Sequence, residues 1–340
     1  MEMSEEHFVV IGNGPAGNQA ALTLREKAPE DRITLITESR EPSYWRRLLP
    51  DFIAGKIEEE ALYVSSFNSY KSMGIKLRSG QEVVGLDLEG RELILDHKEV
   101  LNFTGLIIAV GGKPRIPEPL DVFGDLMFTL KTIGDAKVWI EKLNHVESIL
   151  MIGGDLTSLA LTKALLQLHK EVFFMLDENA FWPLRPNNVL FDEVGQRLVE
   201  KGVQVLKCRK LMSVTQISDH LYQIQADDQK IEIGMIGAFF GLVPDIRFLA
   251  RSGLTIDRGI LVDEYLNAGF EGIYATGDCA QIYHPQIRDY WVSIGHDNAV
   301  ALGRIAAMNL VGERKKAEID QECIYEVQGI NVNTSWWADF

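Results

Sequence analysis

Glycines stand at positions 12, 14 and 17, in the run Gly12-Asn13-Gly14-Pro15-Ala16-Gly17, a spacing that suits a backbone wrapped around an anion. The first glycine permits a sharp turn, the second lets main chain approach a phosphate, and the third packs a helix against a strand. A helix beginning there aims its free N–H groups at a pyrophosphate. Glu38 supplies an acid farther along, where a carboxylate can accept both hydroxyls of an adenosine ribose. These residues read as a dinucleotide site, against the plainer alternative of a glycine-rich turn with no ligand.

A second turn repeats the plan imperfectly, with Gly153-Gly154-Asp155 followed by Ser158 and Ala160. Only the first glycine of the pattern survives. Asp155 brings a side chain and a negative charge to the slot where backbone should approach a phosphate. At about 5 Å and an effective dielectric near 20, the repulsion is roughly 3 kcal/mol before screening, or about a hundredfold in affinity. Asp155 could instead cap its own helix. Asp177 and Glu178 keep the ribose-binding acid, which would favour NADH over NADPH if either binds.

Positioning these turns requires βαβ units. His7-Phe8-Val9-Val10-Ile11 reads as a strand, residues 18–27 as a helix, and Ile33-Thr34-Leu35-Ile36-Thr37 as a second strand ending at Glu38. The arrangement recurs as a strand at Ile149-Leu150-Met151-Ile152, a helix through about Leu168, and a strand at Val172-Phe173-Phe174-Met175-Leu176. Such an internal repeat is of domain size. Between the copies lie strand-like pieces at residues 82–88, 91–96 and 105–110. Gly and Pro at 111–117 and at Gly241-Leu242-Val243-Pro244 mark domain crossings. The expected fold is α/β, with two Rossmann-like dinucleotide-binding domains, the second inserted in the first. Residues 1–112 and 246–312 form the first domain, 113–245 the second with the degenerate glycine motif, and 313–340 a short tail.

The 340 residues are 46% hydrophobic and 24% charged, an ordinary globular composition. With 49 acidic against 34 basic residues the formal charge is −15, which repels phosphate backbones, so nucleic acid is not an expected partner. No apolar run is long enough for membrane insertion, and the acidic start is unlike a signal peptide, so the expected location is cytoplasmic. Cys208, Cys279 and Cys323 are far apart, with no CxxC and no ligand-spaced histidines, so no metal site is expected.

Taken in order, several further motifs resemble the FAD-dependent pyridine nucleotide-disulfide oxidoreductase superfamily, nearest to rubredoxin reductases and the flavoprotein module of nitrite reductases. They are Gly12 to Gly17, Tyr44-x-Arg46-x-x-Leu49 with Ala54-Gly55-Lys56, Ala109-Val110-Gly111, Arg258-Gly259-Ile260-Leu261-Val262-Asp263, Tyr274-Ala275-Thr276-Gly277-Asp278, and Gly303-Arg304-Ile305-Ala306-Ala307-x-Asn309-Leu310-x-Gly312. The resemblance implies the FAD/NAD(P)-binding fold. It places FAD on Gly12, Gly14, Pro15, Ala16, Gly17, Glu38, Arg46, Val84, Ala109, Gly111, Gly277 and Asp278. NADH falls on Gly153, Gly154, Asp177 and Glu178, weakly bound. A helix from Asp297 to Leu310, capped by Asp297 or Asn298, would aim its dipole at the flavin. His296, just before it, reads as structural or as a flavin contact.

The resemblance also exposes departures. Where a redox cysteine stands in coenzyme A disulfide reductases this chain has Arg47, and no cysteine precedes Cys208. Asp51 replaces the lysine often held near the flavin, and Leu302 a glutamine. Thiol chemistry is therefore not expected, and the flavin itself, with no further catalytic residue assigned, would pass electrons to a one-electron acceptor such as rubredoxin, ferredoxin or another iron–sulfur partner. The alternatives are a flavin electron-transfer subunit of a redox complex with weak or no NAD(P)H binding, and a flavoprotein without turnover. The short stretch after Gly312 points to a monomer or hetero-complex in place of the family's dimer, with Trp336-Trp337 as a docking surface or a core contact.

Overall fold

His7–Ile11 (β1) is buried along its whole length, as expected of a strand covered on both faces. Pro15–Lys27 (α1) follows, with proline in its first turn where the missing N–H costs nothing, and then Arg32–Thr37 (β2). This helix starts three residues earlier than the sequence pattern suggests, because Pro15 presets the helical φ and Gly17 lies inside the first turn. The computed structural model describes residues 6–177, 195–206, 211–227, 229–285, 288–293, 295–317, 324–327 and 330–333. Ile75–Ser79 (β3) and Gly105–Ile108 (β4) join the same sheet. Between them, Val83–Asp87, Glu92–Leu95 and Val100–Asn102 form a separate antiparallel sheet of three strands.

The repeat then begins. Ile133–Leu143 (α2) leads to Ser148–Gly153 (β5), Leu156–Gln167 (α3) and Glu171–Leu176 (β6). Gln204–Val205 (β7) and Met235–Phe239 (β8) complete a parallel sheet in the order β7-β6-β5-β8. Leu211–Ser218, Leu221–Ala226 and Gln229–Ile233 form an antiparallel three-stranded sheet, the counterpart of the one in the first copy.

The chain returns through Ile260–Val262 (β9), Ile273–Ala275 (β10), Ala280–His284 (β11) and Asp289–Ser293 (β12) to the helix His296–Leu310 (α4). The first sheet reads β10-β4-β1-β2-β3, parallel throughout. Its core includes Val9, Val10, Leu35, Leu106, Ile107 and Ile108, all fully buried. The α4 helix lies on α1 backbone to backbone: a Cβ on Gly303 would fall 2.2 Å from the Ala16 carbonyl oxygen. It begins one residue before the expected Asp297, and its cap is Gly295 in place of Asp297 or Asn298. Gly295 has φ +109°, a turn that side-chain-bearing residues rarely adopt, and this fixes the earlier start.

By packing, residues 6–45, 63–112 and the described residues from 243 onward form one unit, and 46–62 with the described part of 113–242 the other. Residues 46–62, grouped by sequence with the first copy, pack in the second unit. There the short helix Leu49–Ile53 meets α2 and α3, and Lys137 pairs with Glu59 at 2.8 Å.

Candidate nucleotide sites

In a parallel sheet, ligands bind beyond the carboxyl ends of the strands where the strand order reverses. In the first sheet that point lies between β1 and β4. Gly12 leaves β1 there with φ +100°, and a Cβ on it would sit 2.3 Å from the Ala109 carbonyl oxygen. Gly17 is equally constrained, with its Cβ position 1.8 Å from the Gly12 oxygen. Gly14 differs: a Cβ there meets nothing within 4 Å, so the protein itself does not require glycine at this position. A bound phosphate does.

The same turn leaves the α1 N-terminus open. Gly14 caps it without a side-chain hydrogen bond, and no acid stands in its first turn. Two buried polar atoms, Asn13 Nδ2 in the turn and Thr276 Oγ1 just after β10, have no hydrogen-bond partner among the described residues. Gly277, at φ +73°, brings the next turn to Ala16, with Cβ positions 3.0 Å apart, and Asp278 is half-buried beside it. Ala109 is buried, and Gly111 follows at φ +65°. Glu38 stands exposed immediately after β2 and pairs with no described side chain. An open helix terminus, an unfilled glycine slot, unpaired polar atoms and a distal acid fit the phosphate and ribose of FAD.

Val84 is 47% exposed on the small antiparallel sheet of the first unit. Arg46 opens a single turn, Arg46–Leu48, in the second unit.

Sequence reading missed a polar cluster under the glycine turn. The Tyr70 hydroxyl is 3.0 Å from Asn13 Oδ1 and 2.6 Å from Asn18 Oδ1. A phenol donates one proton, so one of the two amides must turn its NH2 toward Tyr70. The Trp45 ring lies 4.5 Å from that of His296, the first residue of α4. Neither contact has a sequence signal, because the partners are far apart in the chain and follow no periodicity. Cys279 is fully buried, donates to the Thr276 carbonyl at 3.3 Å, and has its thiol pushed up to about 11 by burial. Cys208, Cys323, Glu178 and Trp336-Trp337 lie outside the described residues.

The second sheet repeats the geometry at its own switch point, between β5 and β8. Gly153 has φ +113°, and a Cβ on it would lie 1.9 Å from the Phe239 carbonyl oxygen. Gly154 follows at φ +145°. Here the helix terminus is closed. Asp155 caps α3, with Oδ1 accepting from the Ser158 amide at 2.9 Å and Oδ2 from the Gly241 amide at 3.0 Å. Burial pushes its carboxyl up to about 6 despite these donors. Asp177 follows β6, its amide on the Gly153 carbonyl at 3.0 Å. It attracts the Arg115 guanidinium, whose own pKa is lowered mainly by burial.

Among the described residues, no helix is long and apolar enough to cross a membrane, and no group of acids, histidines and cysteines could hold a metal.

Two parallel sheets with a glycine turn at each switch point, one copy interrupting the other, define the FAD/NAD(P)-binding class of oxidoreductase fold. The pyridine nucleotide-disulphide oxidoreductase family matches residues 6–301, and the chain belongs to that family of flavoprotein enzymes. Putidaredoxin reductase CamA of Pseudomonas putida is 27% identical over 330 residues, covering 93% of this chain and 76% of the relative. The nitric oxide reductase FlRd-NAD(+) reductase of Citrobacter koseri is 26% identical over 279 residues, 81% of this chain and 72% of the relative. The structure of a covalent putidaredoxin reductase–putidaredoxin complex superposes with a TM-score of 0.85 at 22% identity, covering 96% of this chain and 80% of that one.

Proposed function

We propose that the protein is an FAD-dependent oxidoreductase that takes hydride from NADH and passes electrons to a small iron-containing carrier protein. The observation that carries this reading is the state of Cys279: buried, hydrogen-bonded and held as a thiol, it cannot act as a redox cysteine. No cysteine precedes residue 208, so none stands early in the chain where the family's redox cysteine falls, and the flavin itself is read as the direct electron donor. FAD, when bound, would supply the chemistry needed, accepting one hydride, an electron pair, and releasing the two electrons singly.

The chain's own residues bind and orient. Gly12, Gly14 and Gly17 bring main chain to the pyrophosphate, the open α1 terminus presents N–H groups to it, and Glu38 accepts the ribose hydroxyls. Asp278 accepts from the ribityl side. The N-terminus of α4, uncapped by any side chain, offers its dipole to negative charge. In the second unit Gly153, Gly154 and Asp177 receive the nucleotide, with Asp155 weakening its hold. We place the reaction in the cytoplasm, where NADH is supplied, and the protein acts alone or with its carrier.

Asp155 also favours a second reading, in which nicotinamide binds too weakly to matter and the protein relays electrons between two partners. Anaerobic titration separates them. Bleaching of the flavin by NADH, followed by reoxidation with an added ferredoxin or rubredoxin, supports the first; reduction only by a reduced iron–sulfur protein supports the second.

A further inference from the structure

We propose that Asp155 is a proton-operated latch on the nucleotide site of the second unit: its carboxylate holds the amides that would receive a pyrophosphate, and protonation releases them. This deepens the reading that the second unit takes NADH, and rests on it. Each carboxylate oxygen is committed, one to the Ser158 amide within α3 and one to the Gly241 amide beyond β8, so a single side chain spans the crevice at the switch point. Ser158 Oγ adds a bond to the Asp155 carbonyl at 2.6 Å, which fixes the cap. The equivalent crevice in the first unit has no such occupant.

A neutral carboxyl accepts poorly through its hydroxyl oxygen and carries no charge to repel a phosphate. Both the hold on the two amides and the repulsion therefore fall together on protonation. The titration lies in an accessible range, since burial raises the group to about 6 while the amides of Ser158, Gly241 and Thr157 oppose the shift. Among the described residues, charged groups on the neighbouring elements include Arg115, whose amide bonds the Gly241 carbonyl, Asp177, whose amide bonds that of Gly153, and Asp51 on the short helix packed against α3, which pairs with Lys56 at 2.9 Å. Arg115 and Asp177 attract each other, and the Asp155 shift is set by burial and by its backbone donors.

The test is the affinity of the FAD-loaded protein for ADP-ribose, which carries the same pyrophosphate without the nicotinamide. Calorimetric titration at two pH values, one about half a unit below and one about one and a half above the Asp155 pKa, should give binding about 25-fold tighter at the lower pH, the ratio of protonated fractions. Asp155→Asn, which keeps one acceptor and loses the charge, should bind equally at both, near the unmodified protein's acid value. Asp155→Gly should bind at least as tightly and without pH dependence. Equal affinity of the unmodified protein at both pH values, or the same pH dependence in Asp155→Asn, would overturn the latch. In the first case tight binding leaves the NADH reading standing. Absence of binding by all three proteins overturns both.

Discussion

The Asp155 carboxylate accepts from the Gly241 amide at 3.0 Å, tying the start of α3 to the residue beyond the end of β8. The corresponding start of α1 is capped by Gly14 alone. One repeat thus presents an open anion site, and its copy fills the same place with its own side chain. That asymmetry sets how the two nucleotides are expected to bind.

Asp155→Gly should strengthen NADH binding, by up to about a hundredfold if the whole repulsion is relieved. The lost cap costs a few tenths of a kcal/mol, since glycine is itself a tolerable cap. Anaerobic titration of flavin bleaching against NADH measures the change. Micromolar binding by the unmodified protein, unchanged in the variant, would show that Asp155 does not stand in the way.

The same carboxyl gives a pH signature in stability. Its pKa is raised on folding from 3.8 to about 6, so the folded state binds more protons between those values and stability falls as pH rises through that window. The contribution is present below pH 4 and lost above pH 6, about 3 kcal/mol at most. The stability of the unmodified protein minus that of Asp155→Asn, from denaturant melts, should fall by that order as pH rises from 4 to above 6. A flat difference would place the carboxylate in solvent.

Glycines in the first turn divide by what they avoid. Gly14→Val should fold with a melting temperature close to that of the FAD-free unmodified protein, because its Cβ position is open, yet purify colourless. Gly17→Ala places a Cβ 1.8 Å from the Gly12 oxygen and should lose stability outright, by more than the roughly 1–3 kcal/mol of ordinary overpacking. Full flavin content in Gly14→Val would remove FAD from this turn.

Cys279 should be silent. With its thiol buried and pushed up to about 11, alkylating reagents near neutral pH should leave the rate of flavin reduction unchanged. Inhibition mapped by mass spectrometry to Cys279 would contradict its placement.

Much of this was legible in the chain because the relevant signals are local. The β1-α1-β2 unit announces itself through an apolar run, a glycine turn and a second run, and its copy through the same order, so the two-copy fold could be read directly. Boundaries moved where one backbone angle decides them, as at Gly295. Residues 46–62 could not be assigned by pattern, since their grouping depends on packing against α2 and α3. Asp155 was legible as a possible helix cap, whose partner Ser158 is three residues on, but its second bond was not, because Gly241 is distant in sequence. Tyr70 meeting Asn13 and Asn18 lay beyond sequence reasoning for the same reason.

The central claim, that electrons enter from NADH and leave singly to an iron-containing carrier, is tested most directly by an anaerobic rapid-mixing experiment. The FAD-loaded protein is mixed with NADH and then with an oxidised ferredoxin or rubredoxin, following flavin and iron absorbance together. Bleaching of the flavin by NADH is expected, then recovery of its colour with two carrier molecules reduced per NADH. Flavin that NADH leaves oxidised at saturating concentration, yet a reduced iron–sulfur protein bleaches, would contradict the claim.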